Sequence, residues 1–205
     1  KLMRSFKIFI CTWVILSSSI IWANDLVIYP AADSSEYNRY QDLINLLEVI
    51  LEKSTEKYGA YTLKASEGYI NESRSITAVS QDSGLLTLTW SAAVKETTNT
   101  LLAVHIPTRK GILGYRLFLI NKKDQAKFST VNSLEDLKKL TVLQGPGWKD
   151  IQVFQKNNIA VVEGSNYEGL FQMIDNGRVD FFSRGITEIF PELEERKDKL
   201  ANLAI

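Results

Sequence analysis

The chain has 205 residues, with 24 Lys plus Arg against 24 Asp plus Glu and a single His. Zero net charge argues against a nucleic-acid binder, which carries a basic excess gathered into a patch. A composition of 45% hydrophobic and 23% charged residues, with 11 Gly and 4 Pro, is that of a globular protein and not of a disordered one, and one Cys excludes a disulfide framework or a Cys-rich metal site.

The first 23 residues differ from the rest. Lys1, Arg4 and Lys7 are basic, no acid appears before Asp25, Ile8 to Ile21 is apolar, and Ala23 is small. That order defines a secretory signal peptide over residues 1–23. The apolar run, about 14 residues, is shorter than the roughly 20 a bilayer needs. Ile21 departs from the pattern, because a smaller residue is usual there. Cys11 lies inside the run and not at its end, so it is not a lipidation site. Cleavage would remove three basic residues and the Cys, leaving an exported, slightly acidic chain that must be stabilised by a core. The chain opens on Lys, with Met3 a candidate start. It closes on Leu203-Ala204-Ile205, which reads as the opening of a strand, so further residues are expected beyond Ile205.

Strands and helices then alternate. Leu26 to Tyr29 reads as a strand and Pro30 to Ser35 as a loop. A helix is expected from about Ser35 to Lys57, with Tyr40, Leu43, Ile44, Leu47, Ile50 and Leu51 on one face and Gly59 as its stop. Tyr61 to Ala65 is a strand, Glu72 to Gln81 a short helix, and Leu85 to Trp90 an alternating strand. Leu101 to Ile106 and Tyr115 to Ile120 are two more strands, with a Lys110-Gly111 turn between them. After a polar turn at Asn121 to Asp124, Ser133-Leu134-Glu135-Asp136 is a capping box. Thr141 to Gln144 is a strand, Gly145-Pro146-Gly147-Trp148 a tight loop, and a helix opens near Asp150. Ala160 to Val162 is a strand. Ser165-Asn166-Tyr167-Glu168 is a second capping box, and its helix ends at Gly177. Val179 to Phe182 is a strand, Ser183-Arg184-Gly185 a loop, and a last helix runs through Lys197. This rhythm predicts an α/β fold with mostly parallel sheets flanked by helices.

Ligands of such sheets bind at the carboxyl ends of strands. The rule selects Tyr29, Trp90 and Ser91, the loop of Gly145 and Trp148, and Arg184. Each has a second reading. Gly145 to Gly147 is either a backbone approach to a ligand or an ordinary turn. Trp90 is either a stacking surface or core. Arg184 either meets a carboxylate or phosphate or pairs with Glu188 one turn on. Arg116, in an apolar strand, either pairs with a carboxylate or faces a polar cleft.

Little suggests catalysis. His105 lies on a predicted strand face, no Cys remains after cleavage, and no Gly-x-Ser-x-Gly elbow is present. No carboxylate cluster suggests a metal, and no cofactor is expected. Asp33 and Glu36 are the acids an enzyme reading would test.

Three stretches carry a resemblance. They are the long helix after Tyr29-Pro30, the run Gly111-Ile112-Leu113-Gly114-Tyr115-Arg116-Leu117-Phe118-Leu119-Ile120, and the sequence from Ser133-Leu134-Glu135-Asp136-Leu137 to the Gly-rich loop, with Asn176-Gly177-Arg178-Val179-Asp180-Phe181-Phe182 after it. In order and spacing they resemble bacterial periplasmic solute-binding proteins of family 3, the amino-acid-binding type. The resemblance implies a two-lobed type II periplasmic binding protein fold, with lobe 1 over residues 24–120, lobe 2 over 121–205, and the last part of the fold missing. It implies a periplasmic, monomeric, non-enzymatic protein. Its small-molecule ligand would be held between the lobes and handed to an inner-membrane ABC permease. A sensor domain of a signalling protein is the alternative, and an exported enzyme on the same fold a third. The family usually places an Arg a few residues after a Ser or Thr in lobe 1. Here Trp90-Ser91-Ala92-Ala93-Val94-Lys95 has none, and the next Arg is Arg109, so an α-amino-acid ligand is not expected.

Overall fold

A computed structural model describes residues 24–32, 39–92 and 94–205. The expected signal peptide at 1–23, the expected loop and helix start at 33–38, and with them Asp33 and Glu36, lie outside the described residues. The chain forms two sheets. In the first, β1 (Asp25–Tyr29) pairs in parallel with β2 (Tyr61–Ala65), Val27 opposite Leu63. Between them runs α1 (Gln41–Tyr58), with Gly59 at its end in a left-handed conformation that favours glycine, φ 96°. After β2 come α2 (Glu72–Ser80) and α3 (Lys95–Thr100). Asn71 caps α2, its side chain accepting from the Arg74 amide.

The second sheet has five strands in the order β5-β4-β6-β3-β7. These are β3 (Arg116–Asn121), β4 (Thr141–Gln144), β5 (Ala160–Glu163), β6 (Phe181–Gly185) and β7 (Leu203–Ala204). β4 is parallel to β5 and β6, whereas β3 runs antiparallel to both β6 and β7. The expected boundary between lobes at residues 120 and 121 falls inside β3, whose hydrogen bonds place Arg116–Asn121 in this sheet. The helices here are α4 (Gln125–Phe128), α5 (Leu134–Leu137), α6 (Asp150–Lys156), α7 (Tyr167–Asp175) and α8 (Ile189–Arg196).

The main core belongs to this sheet. Successive strand residues point to opposite faces, so Phe181 and Phe182, both fully buried, serve two cores. Phe182 packs with Leu119, Leu143, Phe171 and Ile174 under α7 and α8. Phe181 packs with Ile120, Val142 and Ile159, its ring 4.6 Å from that of Phe118. Asp180, from the Gly-x-Val-Asp stretch, ties the base together. It accepts from the Thr141 amide at 2.7 Å and pairs with Lys127 at 2.5 Å.

Several expectations need correction. Leu85 to Trp90 is not a strand. It lies beside β1, but the Thr87 hydroxyl takes the place of a backbone group. It accepts from the Ile28 amide at 3.0 Å and donates to the Leu26 carbonyl at 3.1 Å, while the Thr87 amide donates to the Ile28 carbonyl at 2.9 Å. Leu101 to Ile106 is irregular, and Leu102, Val104 and Ile106 are 99%, 79% and 71% exposed. Alternation makes a strand only where a neighbouring strand supplies hydrogen bonds, and no described strand pairs with this one. Of the expected apolar face of α1, only Ile44 is buried, and Ile50 is exposed; a two-stranded sheet covers little of a long helix. The second capping box is displaced by one residue. Asn166, not Ser165, caps α7, its Oδ1 accepting from the Gly169 amide at 2.8 Å. Ser183, Arg184 and Gly185 are strand and not loop, because β3 extends far enough to pair Arg116 with Gly185.

Candidate functional site

The carboxyl ends of β1, β4 and β6 and the start of β3 carry the expected residues. On the first half, Tyr29 ends β1 and its ring centroid lies 6.2 Å from that of Trp90; Tyr40 lies 5.1 Å from Trp90 on another side. Trp90 is half-buried within this aromatic group. Ser91 donates its hydroxyl to Glu72 Oε1 at 2.5 Å. Burial pushes the Glu72 carboxyl above its ordinary value, opposed by that hydrogen bond and by the positive charges of Lys149 and Arg39.

On the second half, Gly145 is required by close approach. A Cβ there would stand 2.3 Å from Trp148 Cε2. The Trp148 amide donates to the Gly145 carbonyl at 3.2 Å, and Gly147 takes φ 75°, so the turn folds the indole back under its own start. Trp148 stacks on Phe182, centroids 5.9 Å apart and planes 23° apart. Arg116 pairs with Asp150 at 2.7 Å, both side chains partly exposed. The Gln144 amide at the end of β4 and the Ser183 hydroxyl in the middle of β6 are buried with no hydrogen-bond partner among the described residues.

Arg184 is 2% exposed. Its Nε donates to Glu192 Oε2 at 2.8 Å and its Nη2 to Glu192 Oε1 at 2.6 Å, with Glu188 Oε2 at 3.1 Å. The Arg184–Glu188 pair is therefore buried, not a surface pair. Tyr167 donates its hydroxyl to Glu192 Oε1 at 2.5 Å. Burial, above all, pushes the Tyr167 hydroxyl well above its ordinary range. Burial acts to raise Glu188, yet Arg184 and Arg39 hold its carboxyl below the ordinary value.

The two halves meet across this edge. Arg39 precedes α1, and its guanidinium lies 4.8 Å from the Trp148 ring and 5.0 Å from the Tyr167 ring. A Cβ on Gly147 would reach Ser73 Cβ at 3.6 Å. The spacing rules singled out Glu188 only as an ion-pair partner of Arg184, and missed Arg39, Glu72, Tyr167 and Glu192. Tyr40 carried only a helix-face signal, Tyr167 stood inside a capping box, and Glu192 read as part of a solvated helix end. A separate concavity of about 550 Å³, lined by Asp42, Arg109, Ile112 and Tyr115 among others, contains none of the expected site residues. His105 is exposed in an irregular segment and is not on a strand face. Among the described residues no group of three or more His, Cys, Asp or Glu could hold a metal, and no helix is long and apolar enough to cross a membrane.

No family model and no curated protein matches the chain. Solved structures do. An ancestral arginine-binding protein bound to arginine is similar at TM-score 0.59 and 16% identity, over 89% of this chain and 78% of that one. The GluR0 ligand-binding core in complex with L-glutamate gives 0.58 and 16%, over 89% and 78%. An arginine-specific periplasmic binding protein of Salmonella typhimurium gives 0.58 and 14%, over 89% and 77%. The chain has the two-lobed type II periplasmic binding protein fold of these structures.

Proposed function

We propose that this is an exported solute-binding protein that captures a small polar or anionic molecule between its two lobes, residues 24–120 and 121–205. Residues 1–23 direct it to the periplasm, and an inner-membrane ABC permease reads the closed form. The observation that carries the reading is the convergence, at one edge, of aromatic and charged side chains from both lobes: Tyr29, Tyr40 and Trp90 from the first, Trp148 and Tyr167 from the second. Rings with a few placed polar groups are the composition of small-molecule sites. Tyr29, Trp90, Ser91, Arg116, Gly145 and Trp148 face or shape the cleft, and Arg184, its charge held by Glu188 and Glu192, backs the Trp148 ring. Hinge closure follows when the solute binds the closed form more tightly than the open one.

A thermal-shift screen of polar and anionic solutes, followed by calorimetry, tests this. One solute should bind saturably to the wild-type chain and at least tenfold more weakly to Trp148→Ala. If no solute binds, or if the variant binds as well as the wild type, the reading fails.

A further inference from the structure

β4 and β6 run side by side in parallel, with Val142 paired to Phe181 and Leu143 to Phe182. Their pairing stops there. The next rung would set Gln144 beside Ser183, while each still pairs with its outer neighbour, Gln144 with Glu163 on β5 and Ser183 with Phe118 on β3. The two strands part at this rung, and the backbone ladder between them ends in a fork.

The side chains at the fork are polar and deeply buried. Gln144 is 0% exposed and Ser183 1%. By the alternation of strand faces they lie on the side of Val142 and Phe181, which pack with Ile120 and Ile159. Gln144 Oε1, Gln144 Nε2 and Ser183 Oγ have no hydrogen-bond partner among the described residues. An unpaired amide or hydroxyl beside an apolar core is costly, so buried groups of this kind are satisfied by protein or by ordered water.

The chemistry selects the ligand. The fork offers an amide that accepts and donates and a hydroxyl that does either. A buried water makes about three hydrogen bonds to such groups, and three side-chain atoms stand here on neighbouring strands. Neither side chain is charged, which disfavours an ion. The next residue outward on the same face of β3 is Arg116, in a partly exposed ion pair with Asp150, so the fork lies between the apolar core and a polar rim.

We propose that Gln144 and Ser183 form a binding site for one internal water molecule, which closes the fork between β4 and β6 where the backbone ladder stops. Gly145 follows Gln144 directly, so this water anchors the strand end from which the Trp148 loop springs. The site does not rest on the solute-binding reading, and it is measured without solute.

The test is a double-mutant cycle on the full chain with Gln144→Met, which keeps the side-chain length, and Ser183→Ala. Far-UV circular dichroism checks that each variant is folded. In urea unfolding, each single variant should have a lower midpoint than wild type, and the double variant should fall no further than the worse single. That is a coupling of about fivefold or more in the unfolding equilibrium constant between two side chains that share no direct hydrogen bond. Oxygen-17 relaxation dispersion should show at least one long-lived water in the wild type that Gln144→Met loses. Midpoints that rise in both single variants and add in the double would mean that the three atoms stand unpaired, and overturn the proposal. Coupling with an unchanged dispersion would mean that the two side chains bond each other directly, and overturns it as well. If Gln144→Met does not fold, Ser183→Ala decides: a shorter water residence time supports the site, and an unchanged dispersion overturns it.

Discussion

Arg184 and Glu192 form a buried two-bond fork, Nε to Oε2 at 2.8 Å and Nη2 to Oε1 at 2.6 Å, joining β6 to α8 across the core of the five-stranded sheet. Glu192 is 0% exposed, and its Oε1 also accepts from Tyr167, so one carboxylate serves a strand and two helices. Removing one partner leaves the other buried and uncompensated. Glu192→Ala should therefore cost about 3 kcal/mol or more, read as a lower urea midpoint with an unchanged slope. A cost below about 1 kcal/mol, the value of a surface pair, would show that the fork does not hold α8 to the five-stranded sheet.

Glu72 gives a pH dependence of opposite sign to most carboxylates. Burial raises its folded value above the unfolded one. Its contribution to stability is then present below the unfolded value and lost as pH rises through the folded one. Glu72→Gln should melt higher than wild type at pH 7, and the gap should narrow towards about pH 4. A variant that melts lower than wild type at pH 7 would mean that the Ser91 hydrogen bond outweighs burial.

Gly145 tests the indole's seat. A Cβ at 2.3 Å from Trp148 Cε2 meets a ring already stacked on Phe182, not the free end of a flexible chain. Gly145→Ala should cost about 1–3 kcal/mol, the range for overpacking, and change the near-UV circular dichroism of the aromatic residues. An unaltered spectrum and melting curve would place slack around Trp148.

The α7 cap separates two neighbouring residues. Asn166→Ala loses the hydrogen bond to the Gly169 amide and should destabilise by about 1 kcal/mol. Ser165→Ala, which leaves that bond in place, should change stability by less than half as much. Equal effects in chemical denaturation would restore Ser165 as the cap.

Local rules decided much of this protein. Val27 to Tyr29, Thr141 to Gln144 and the helix from Tyr167 form where apolar runs, caps and glycine stops specify them, because these signals act over a few neighbouring residues. The same holds for the Gly145–Trp148 turn. Long-range pairing was invisible to them. Leu85–Trp90 and Leu101–Ile106 alternate like strands, but the first lies against β1 with the Thr87 hydroxyl in place of a backbone group, and no described strand pairs with the second. Arg184 looked like a loop cation because the strand pairing of Leu117 with Arg184 is long-range, and Glu192, two turns on, folds back over that strand. Only tertiary structure placed Arg39 against Trp148 and Tyr167, more than a hundred residues away in the chain. A cation–ring contact depends on distance in space and leaves no periodic trace in sequence, whereas caps, turns and apolar faces do.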